Sequence, residues 1–287
     1  MTAAADFEAQ RPRLARLAYR MLGSVSEAED VVQDAWLRWQ GADRDEIADP
    51  AAWLIRTATR LCIDRLRAEK SRRAAYRGPW LPEPLIEDLM ADPLERAEEV
   101  SVAFLLALER LSPLERAVFL LHDVFEADYA AVAETLGRSE AACRQLALRA
   151  RNHVRDVRPR FSVGQEEAAR LAVAFMEAAR NNDLEGLKAI LAEDAVLITD
   201  GGGKRSAALR PLVGRDDIVA LIRGLQWRNH WLRTPKVRLA RVNGYLGAIL
   251  ETEDGLISVA FQPDGAGRLA AIYMVVNPEK LARVAAP

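Results

Sequence analysis

The sequence predicts two all-helical domains followed by one α+β domain. Residues 6–160 show helical periodicity with cap signals, whereas strand-like runs joined by hairpin turns appear only after Pro159. A proline-rich, acidic segment interrupts the helical part at residues 76–93. The chain has 287 residues and half of them are hydrophobic, which suits two or three separate cores.

Start and stop signals divide the first helical part into three helices. The first, residues 7–22, ends at Gly23. Ser26 and Glu29 have the spacing of a capping box and predict a second helix that runs to about residue 39. After a polar loop at 41–49, Asp49 predicts an N-cap with proline at the first helical position. This opens a long helix that becomes basic toward residue 75.

Residues 76–93 contain four prolines and several acids, which predicts a linker. Its apolar side chains Trp80, Leu81, Leu85 and Ile86 are too many for a solvated tether. We therefore expect this segment to dock on another part of the protein. A second helical block is predicted to start near Pro93.

Two helices joined by a tight turn are predicted at residues 129–155. Before them, Ser112 and Glu115 form a capping box with proline between them at N1. Gly137 suits the left-handed residue that ends the first of the two helices, and Ser139 suits the N-cap of the second. This pattern is typical of a helix-turn-helix whose second helix enters the DNA major groove. An ordinary helical hairpin with a solvated arginine face is the alternative.

Charge is segregated along a chain whose net charge is only −2. Residues 56–73 and 138–160 each carry seven bases against two acids, a local net of +5, whereas residues 83–99 carry a net of −6. Two basic blocks on either side of an acidic one favour two DNA-contacting modules. Solvated helix faces of either sign remain the simpler alternative.

The part after Pro159 predicts an α+β domain with a curved sheet packed on helices. Asn243-Gly244 and Asp254-Gly255 are strong hairpin turns. The predicted helices are 165–180, 183–193 and 216–225. The predicted strands are 195–199, 237–242, 245–251, 256–261 and 269–276.

Composition excludes several classes of protein. Cys62 and Cys143 lie in predicted helices without a C-x-x-C partner, so they predict small core residues of a reduced, cytoplasmic protein. The three histidines are scattered, which speaks against a structural zinc site. We find neither a signal peptide nor an apolar run of membrane-spanning length, and we expect no cofactor, metal or membrane partner.

Three segments together resemble the extracytoplasmic-function sigma factors of RNA polymerase: residues 23–39, the basic helix at 51–73 and the helix-turn-helix. Three further motifs resemble a subgroup with a C-terminal SnoaL-like, nuclear-transport-factor-two-like extension: W-L-P-E-P at 80–84, D-G-G-G-K at 200–204 and N-P-E-K-L at 277–281. The resemblance implies sigma region two at 1–75, a linker at 76–96, region four at 97–160 and a regulatory domain at 161–287.

The resemblance also implies the partners, which are RNA polymerase core enzyme and promoter DNA. The second helix would dock on the largest polymerase subunit, and we expect one of its two tryptophans to be core instead. The implied polymerase-binding residues are Glu29, Asp30, Asp34, Trp36 and Trp39.

In the same way, the basic helix would hold the displaced strand at the minus-ten element, and the helix-turn-helix would bind the minus-thirty-five element. Many relatives have Asn where Arg60 stands and a basic residue where Leu146 stands. We therefore expect the recognition of promoter bases at these two positions to differ from that of the relatives. Trp53 is expected in the core, and Arg155 and Arg158 on phosphates or in solvent. The implied DNA-binding residues are Arg56, Arg60, Arg65, Arg67, Arg144, Gln145, Arg149 and Arg151.

The resemblance further implies that the extension regulates the helical domains in cis through contacts with the linker. For residues 200–204 two other interpretations stay open: a backbone nest that binds an anion with help from Lys204, and a flexible hairpin turn. The implied contact residues are Trp80, Leu81, Pro82, Glu83, Pro84, Asp200, Gly201, Gly202, Gly203, Lys204, Asn277 and Pro278.

Two rival functions concern the C-terminal domain. SnoaL-like folds host enzymes that use an Asp or His in an apolar cone, and Asp200, His230 and Glu251 are the candidates here. The expected cone positions are mostly aliphatic and no acid–base pair is evident, so we predict no catalytic residue. A cone that senses an unidentified small ligand is the other alternative.

Overall fold

The computed structural model describes residues 3–87, 101–154, 164–228 and 236–284. The chain divides into two compact units. The first contains residues 1–75 and 103–158, and the second contains residues 76–102 and 159–287. The described part of the linker therefore belongs to the same unit as the C-terminal sheet.

Three helices form the first helical module: α1 (Ala3–Leu22), α2 (Val25–Gln40) and α3 (Pro50–Ala74), with a single 3₁₀ turn at Arg44–Glu46. Asp49 caps α3 by accepting a hydrogen bond from the Ala52 amide at 3.0 Å, as predicted. The predicted capping box at Ser26 is wrong. Ser24 is the N-cap of α2 and accepts from the Glu27 amide, because Gly23 takes a positive φ of 69° and turns the chain two residues earlier.

Four helices and a π turn form the second helical module. They are α4 (Val102–Leu108), α5 (Pro113–Phe119), the turn at Leu120–Val124, α6 (Tyr129–Leu136) and α7 (Glu140–Val154). The capping box of Ser112 and Glu115 is present, Gly137 adopts φ 61°, and Ser139 accepts from the Ala142 amide. These local predictions are confirmed, whereas the helix start predicted near Pro93 lies outside the described residues.

The first module packs around the apolar faces of α1, α2 and α3. Trp39 is 1% exposed, and its indole Nε1 donates to the carbonyl of Ala3 at 2.8 Å. Trp36 is half-buried against Phe7, with ring centroids 4.9 Å apart. Trp39 is therefore the core tryptophan of the pair. Trp53 is half-buried and packs on the Trp39 ring at 5.4 Å, in keeping with the expected core role.

A buried arginine joins the two helical modules within the first unit. Arg116 on α5 is 3% exposed, donates to the carbonyl of Met21 on α1 at 2.5 Å, and pairs with Glu109 at 2.9 Å. Glu109 also pairs with Arg73 on α3. Burial lowers the pKa of Arg116, and Glu109 opposes that shift. A charged side chain can be buried without a large cost in free energy only when it is paired and hydrogen-bonded.

The second unit is a curved sheet covered by helices. Its described strands are β1 (Ile86–Glu87), β2 (Leu191–Asp200), β3 (Leu212–Val213), β4 (Lys236–Val242), β5 (Tyr245–Thr252), β6 (Gly255–Pro263) and β7 (Leu269–Val275), in the order β1-β4-β5-β6-β7-β2-β3. Among the strands that the structure describes, only β2 and β7 pair in parallel. The helices are α8 (Gln165–Asn181), α9 (Leu184–Ile190), α10 (Arg215–Arg228) and α11 (Pro278–Leu281).

The predicted α+β architecture is confirmed, with four differences. Strand β2 begins at Leu191, so the helix predicted for 183–193 ends earlier, at Ile190. Strand β1 lies in the predicted linker, and both β3 and α11 lie where no element was predicted. Within the described ranges, no helix combines the length and the apolar character needed to cross a bilayer.

The contrast between Trp39 and Leu37, which is 57% exposed on the same helix, gives a stability prediction. Trp39→Ala is expected to lower the free energy of unfolding by about 3–5 kcal/mol, because it leaves a cavity in the core. Leu37→Ala is expected to change it by about 0.5 kcal/mol or less. Urea denaturation followed by circular dichroism measures both. Equal losses would show that Trp39 is not a core residue.

Candidate functional site

Asp200 stands at the end of β2 and is fully buried, with 0% exposure. Four donors surround its carboxylate. They are the Tyr76 hydroxyl at 2.6 Å, the Leu81 amide at 2.8 Å, the Gly202 amide at 3.0 Å and the Lys280 ammonium at 2.7 Å. Two of these donors lie on the linker, so the carboxylate holds the linker to the sheet.

Lys280 on α11 completes this arrangement and is only 13% exposed at its side chain. Its ammonium pairs with Asp200 and donates to the carbonyl of Leu81. It also lies over the rings of Trp80 and Tyr76, at 4.3 and 5.1 Å from their centroids. Cation–π contacts of this kind add to an ion pair when the cation is desolvated. We call Tyr76, Leu81, Asp200, Asn277 and Lys280 the docking cluster.

The remaining member, Asn277, links the C-terminal motif to the linker. Its side-chain amide donates to the Tyr76 hydroxyl at 3.0 Å, and its carbonyl oxygen caps α11 by accepting from the Glu279 amide. Gly202 adopts φ 58°, and a Cβ there would lie 2.9 Å from the Tyr76 oxygen. Glycine is thus required at this position both for conformation and for space.

The linker beyond Leu81 continues along the sheet. Pro82, Glu83 and Pro84 are buried, and β1 pairs antiparallel with β4. The Asn243 side chain at the β4–β5 turn accepts from the Leu85 amide at 3.3 Å. The linker thereby extends the sheet by one strand, which explains the apolar residues that its sequence carries.

Burial raises the pKa of Tyr76, and its hydrogen bond to the Asp200 carboxylate raises it further. The phenol therefore stays protonated at physiological pH and remains a donor to Asp200. Tyr76 and Lys280 were not among the predicted contact residues. The N-P-E-K-L motif contained Lys280, and its place in that motif was the signal in the sequence that could have pointed to it.

The loop at 200–204 is closed by its own hydrogen bonds. The amides of Lys204 and Arg205 both donate to the carbonyl of Gly201, and the Gly202 amide donates to Asp200. Three N–H groups are thus unavailable to a nest that binds an anion. Lys204 lies outside the docking cluster and pairs with Glu279 at 3.1 Å, with both side chains exposed.

On α7 the predicted base-contacting residues share one exposed face, while Cys143, Ala147 and Ala150 are buried. Arg144 pairs with Glu140 at 2.6 Å, and Arg151 pairs with Asp123 at 2.7 Å. Gln145 and Arg149 have no hydrogen-bond or ion-pair partner in the described part of the chain. Leu148, which the sequence did not single out, is 59% exposed on the same face. The predicted Arg155 and Arg158 lie outside the described residues.

The four basic residues predicted on α3 do not act as one group in this structure. Arg56 pairs with Glu134 on α6, and Arg60 donates to the carbonyl of Thr135 at 3.3 Å. Arg67 is exposed and pairs with Asp64 on its own helix. Helix α6 therefore contacts α3 at half-buried Arg56 and at Arg60, which stays exposed. A cavity of about 210 Å³ lies between α1, α3, the π turn and α6, so this packing is loose.

Arg65 faces α2 instead of α6. It pairs with Asp34 at 2.8 Å and with Asp30 at 3.5 Å, and it donates to the carbonyl of Glu27. Asp30 and Asp34, which were predicted to bind polymerase, are 65% and 45% exposed at their side chains despite this pairing. Leu37 continues their helix face one turn further.

The interior of the C-terminal cone holds a cavity of about 40 Å³ whose described lining is entirely apolar, including Phe175, Leu197, Val259 and Ile272. A larger cavity of about 540 Å³ adjoins it and shares the wall residues Leu221, Ile257 and Met274, with Arg205 and Asp254 on its polar side. Asp200 is fully engaged in the docking cluster, and Glu251 pairs with Lys236 at 3.0 Å at the surface. His230 lies outside the described residues. No group of three potential metal ligands occurs among the residues that the structure describes.

Comparison with known proteins gives two family-model matches, Sigma-70 region 2 over residues 7–72 and Sigma-70, region 4 over residues 101–154. The chain is 41% identical to the ECF RNA polymerase sigma factor SigJ of Mycobacterium tuberculosis, over 96% of this chain and 92% of that protein. It is 32% identical to a probable ECF RNA polymerase sigma factor, SigI, of the same organism, over 96% and 94%. The crystal structure of the M. tuberculosis extracytoplasmic function sigma factor SigJ superposes with a TM-score of 0.78 over 97% of this chain and 98% of that one, at 36% identity.

The docking cluster predicts a large effect of one neutralising substitution. Asp200→Asn is expected to lower the free energy of unfolding of the second unit by about 3–5 kcal/mol, because it leaves Lys280 buried without a counter-charge. It should also speed hydrogen exchange at the Leu81 amide, which loses a charged acceptor. Asp194→Asn, an exposed position on the same strand, is the control. Slow exchange retained at Leu81 in the Asp200 variant would refute this role.

The α3–α6 junction gives a second prediction. Glu134→Ala is expected to raise the affinity for a single-stranded minus-ten oligonucleotide about two- to fivefold, the effect of losing one exposed ion pair that holds α6 over Arg56. Glu140→Ala removes the same charge from the same module without touching α3, and should leave this affinity unchanged. Fluorescence anisotropy measures both. An equal rise in the two variants would point to net charge alone.

Proposed function

Since the chain belongs to the extracytoplasmic-function RNA polymerase sigma factors, we propose that it directs promoter-specific initiation and that its C-terminal unit controls it in cis by holding the linker. The docking cluster is the observation that carries this proposal, because the linker is the chain segment between the two DNA-binding modules. RNA polymerase core enzyme and promoter DNA are the partners that the two sigma regions imply. The working location is the cytoplasm, and the chain needs no catalysis of its own.

The distance between the two promoter elements supports the need for an opening step. The minus-ten and minus-thirty-five elements lie roughly 25 base pairs apart, or roughly 85 Å along the duplex. In the first unit, Arg60 and Thr135 of the two modules are only 3.3 Å apart. One chain cannot occupy both elements in this arrangement, so α6 must leave α3 when the promoter is bound.

The linker sets how far the modules can separate. Docking fixes the 12 residues from 76 to 87 against the sheet. When released, a segment of that length spans up to roughly 40 Å. The C-terminal unit can thus favour the closed arrangement by shortening the free tether, and any event that weakens the docking cluster favours the open one.

The two sigma modules have distinct roles in this proposal. Exposed Asp30, Asp34 and Leu37 on α2, together with Glu29 and half-buried Trp36, form the surface that binds the polymerase. Arg56, Arg60 and Arg67 hold the minus-ten strand after opening. Gln145 and Arg149 read minus-thirty-five bases with forked contacts, and Arg144 and Arg151 join them by exchanging their internal partners for DNA.

Run-off transcription with core polymerase on the promoter of the protein's own gene tests this function. Asp200→Asn is expected to raise transcription severalfold over the full-length parent because the released linker lengthens the tether, and Asp194→Asn should not. A chain that ends at residue 163 should change in the same direction. Unchanged transcription in both would leave the sigma activity standing and refute control by docking. Absence of any transcript with active core enzyme would contradict the initiation role.

A further inference from the structure

A polar cavity of about 400 Å³ lies beside the docking cluster within the second unit. Three cationic side chains line it: Arg77 on the linker, and Lys204 and Arg205 in the loop that follows β2. Thr199 and Ser206 add hydroxyl groups to its wall, and no acidic side chain belongs to its described lining. Cations from two distant parts of the sequence therefore converge on one concave surface.

The charges of these cations are poorly compensated. Arg205 donates to the backbone carbonyl of Leu256 at 2.9 Å, and neither it nor Arg77 has an ion pair in the described ranges. Lys204 pairs with Glu279, but this pair is exposed on both sides and is weak in water. Asp200 is close in sequence, yet Lys280 already balances its charge. Asp254 lines an adjoining cavity that Arg205 also borders and offsets part of this charge, so the three cations leave a net positive charge at the site.

Glycine positions Arg77 at this cavity. Gly203 adopts φ 73°, and a Cβ there would lie 3.3 Å from both Cβ and Cδ of Arg77. The aliphatic part of Arg77 therefore crosses the loop at Gly203. Because the loop's own amides are mostly used internally, binding must rest on the side chains rather than on a backbone nest.

We propose that this cavity binds a small phosphorylated metabolite through Arg77, Lys204 and Arg205. Two guanidinium forks and an ammonium match the geometry and charge of a di- or triphosphate better than a single carboxylate. The volume falls within the range of small-molecule sites and exceeds what one phosphate fills. Its concave shape favours a small anion over the phosphates of a duplex.

The consequence for regulation rests on the function proposed above. Because Arg77 belongs to the linker while Lys204 and Arg205 belong to the sheet domain, the complete site exists only when the linker is docked. An anion that binds the docked state more tightly shifts the equilibrium toward it, and by the same coupling docking raises the affinity for the anion. The ligand thus strengthens the hold of the docking cluster on the linker.

Isothermal titration of the full-length protein with pyrophosphate and with ADP, both without metal, tests the site. Arg210 is an exposed arginine of the same loop that lies outside the cavity. The parent protein and the Arg210→Ala variant should therefore bind these anions equally well. Arg77→Gln and Arg205→Gln should bind about tenfold more weakly or worse, as expected when a charge-assisted hydrogen bond is lost. Should the Arg205 variant fail to fold, Lys204→Gln replaces it. Tighter binding of ADP than of pyrophosphate would assign a nucleotide, and equal binding a diphosphate group alone.

Binding should also slow hydrogen exchange at the Leu81 amide. Failure of both anions to bind, or equal binding by all variants, would overturn the site without bearing on transcription. If duplex DNA binds in a way that depends on Arg77 and Arg205 while pyrophosphate does not bind, the metabolite site is overturned and the cavity is assigned to DNA phosphate instead. Anion binding with unchanged transcription in Asp200→Asn would instead keep the site and remove its regulatory role.

Discussion

A buried carboxylate must be satisfied completely, and at Asp200 this requirement organises the second unit. Its four donors come from the linker, the loop after β2 and α11. Each segment alone would leave the buried charge only partly compensated, at a cost of several kcal/mol. The three motifs are far apart in the sequence but depend on one another. If any one of them is lost, the Asp200 carboxylate loses donors and the contacts of the other two motifs are weakened.

The two polar contacts that matter for function differ in strength for a physical reason. Asp200 and Lys280 meet where water is excluded, so their attraction is strong and separation leaves a buried charge. Arg56 and Glu134 meet at the surface beside a cavity, where solvent screens the pair and packing contributes little. The structure thus combines a firm hold on the linker with a weak, solvent-screened contact between α3 and α6. Separation of the two modules must also break the bond from buried Arg116 to Met21 and the pair of Glu109 with Arg73. A free tether of sufficient length is a condition for that separation, and docking of the linker shortens the tether.

The cone separates an apolar interior from a polar border. Its inner cavity is small and apolar, and the carboxylate buried at the end of β2 is turned to the linker. The larger cavity that adjoins it carries Arg205 and Asp254 on its border. The cationic groups of the inferred anion site, Arg77 and Arg205, therefore lie at the docked linker and at the edge of the cone, not in its apolar interior.

The sequence by itself determined the local structure. The caps at Asp49, Ser112, Gly137 and Ser139, and the hairpin turn at Asn243-Gly244, depend on hydrogen bonds and φ values within a few residues, so their patterns predicted them correctly. Motif resemblance also identified the family and named three of the five residues of the docking cluster, Leu81, Asp200 and Asn277. Where a signal had a close competitor, as with Ser24 and Ser26, the local reasoning chose the wrong residue.

Only the tertiary structure decided which side chains meet across long sequence separations. The packing of helices and strands brings Lys280 to Asp200 and Leu81, and it turns Arg65 toward α2. It also places Arg56 against α6 and puts Trp39 rather than Trp36 in the core. A periodic pattern gives the face of an element but not the identity of its neighbour. The pairing of charges and the burial of aromatic rings follow from that neighbour, which is why the sequence could name these residues without assigning their partners.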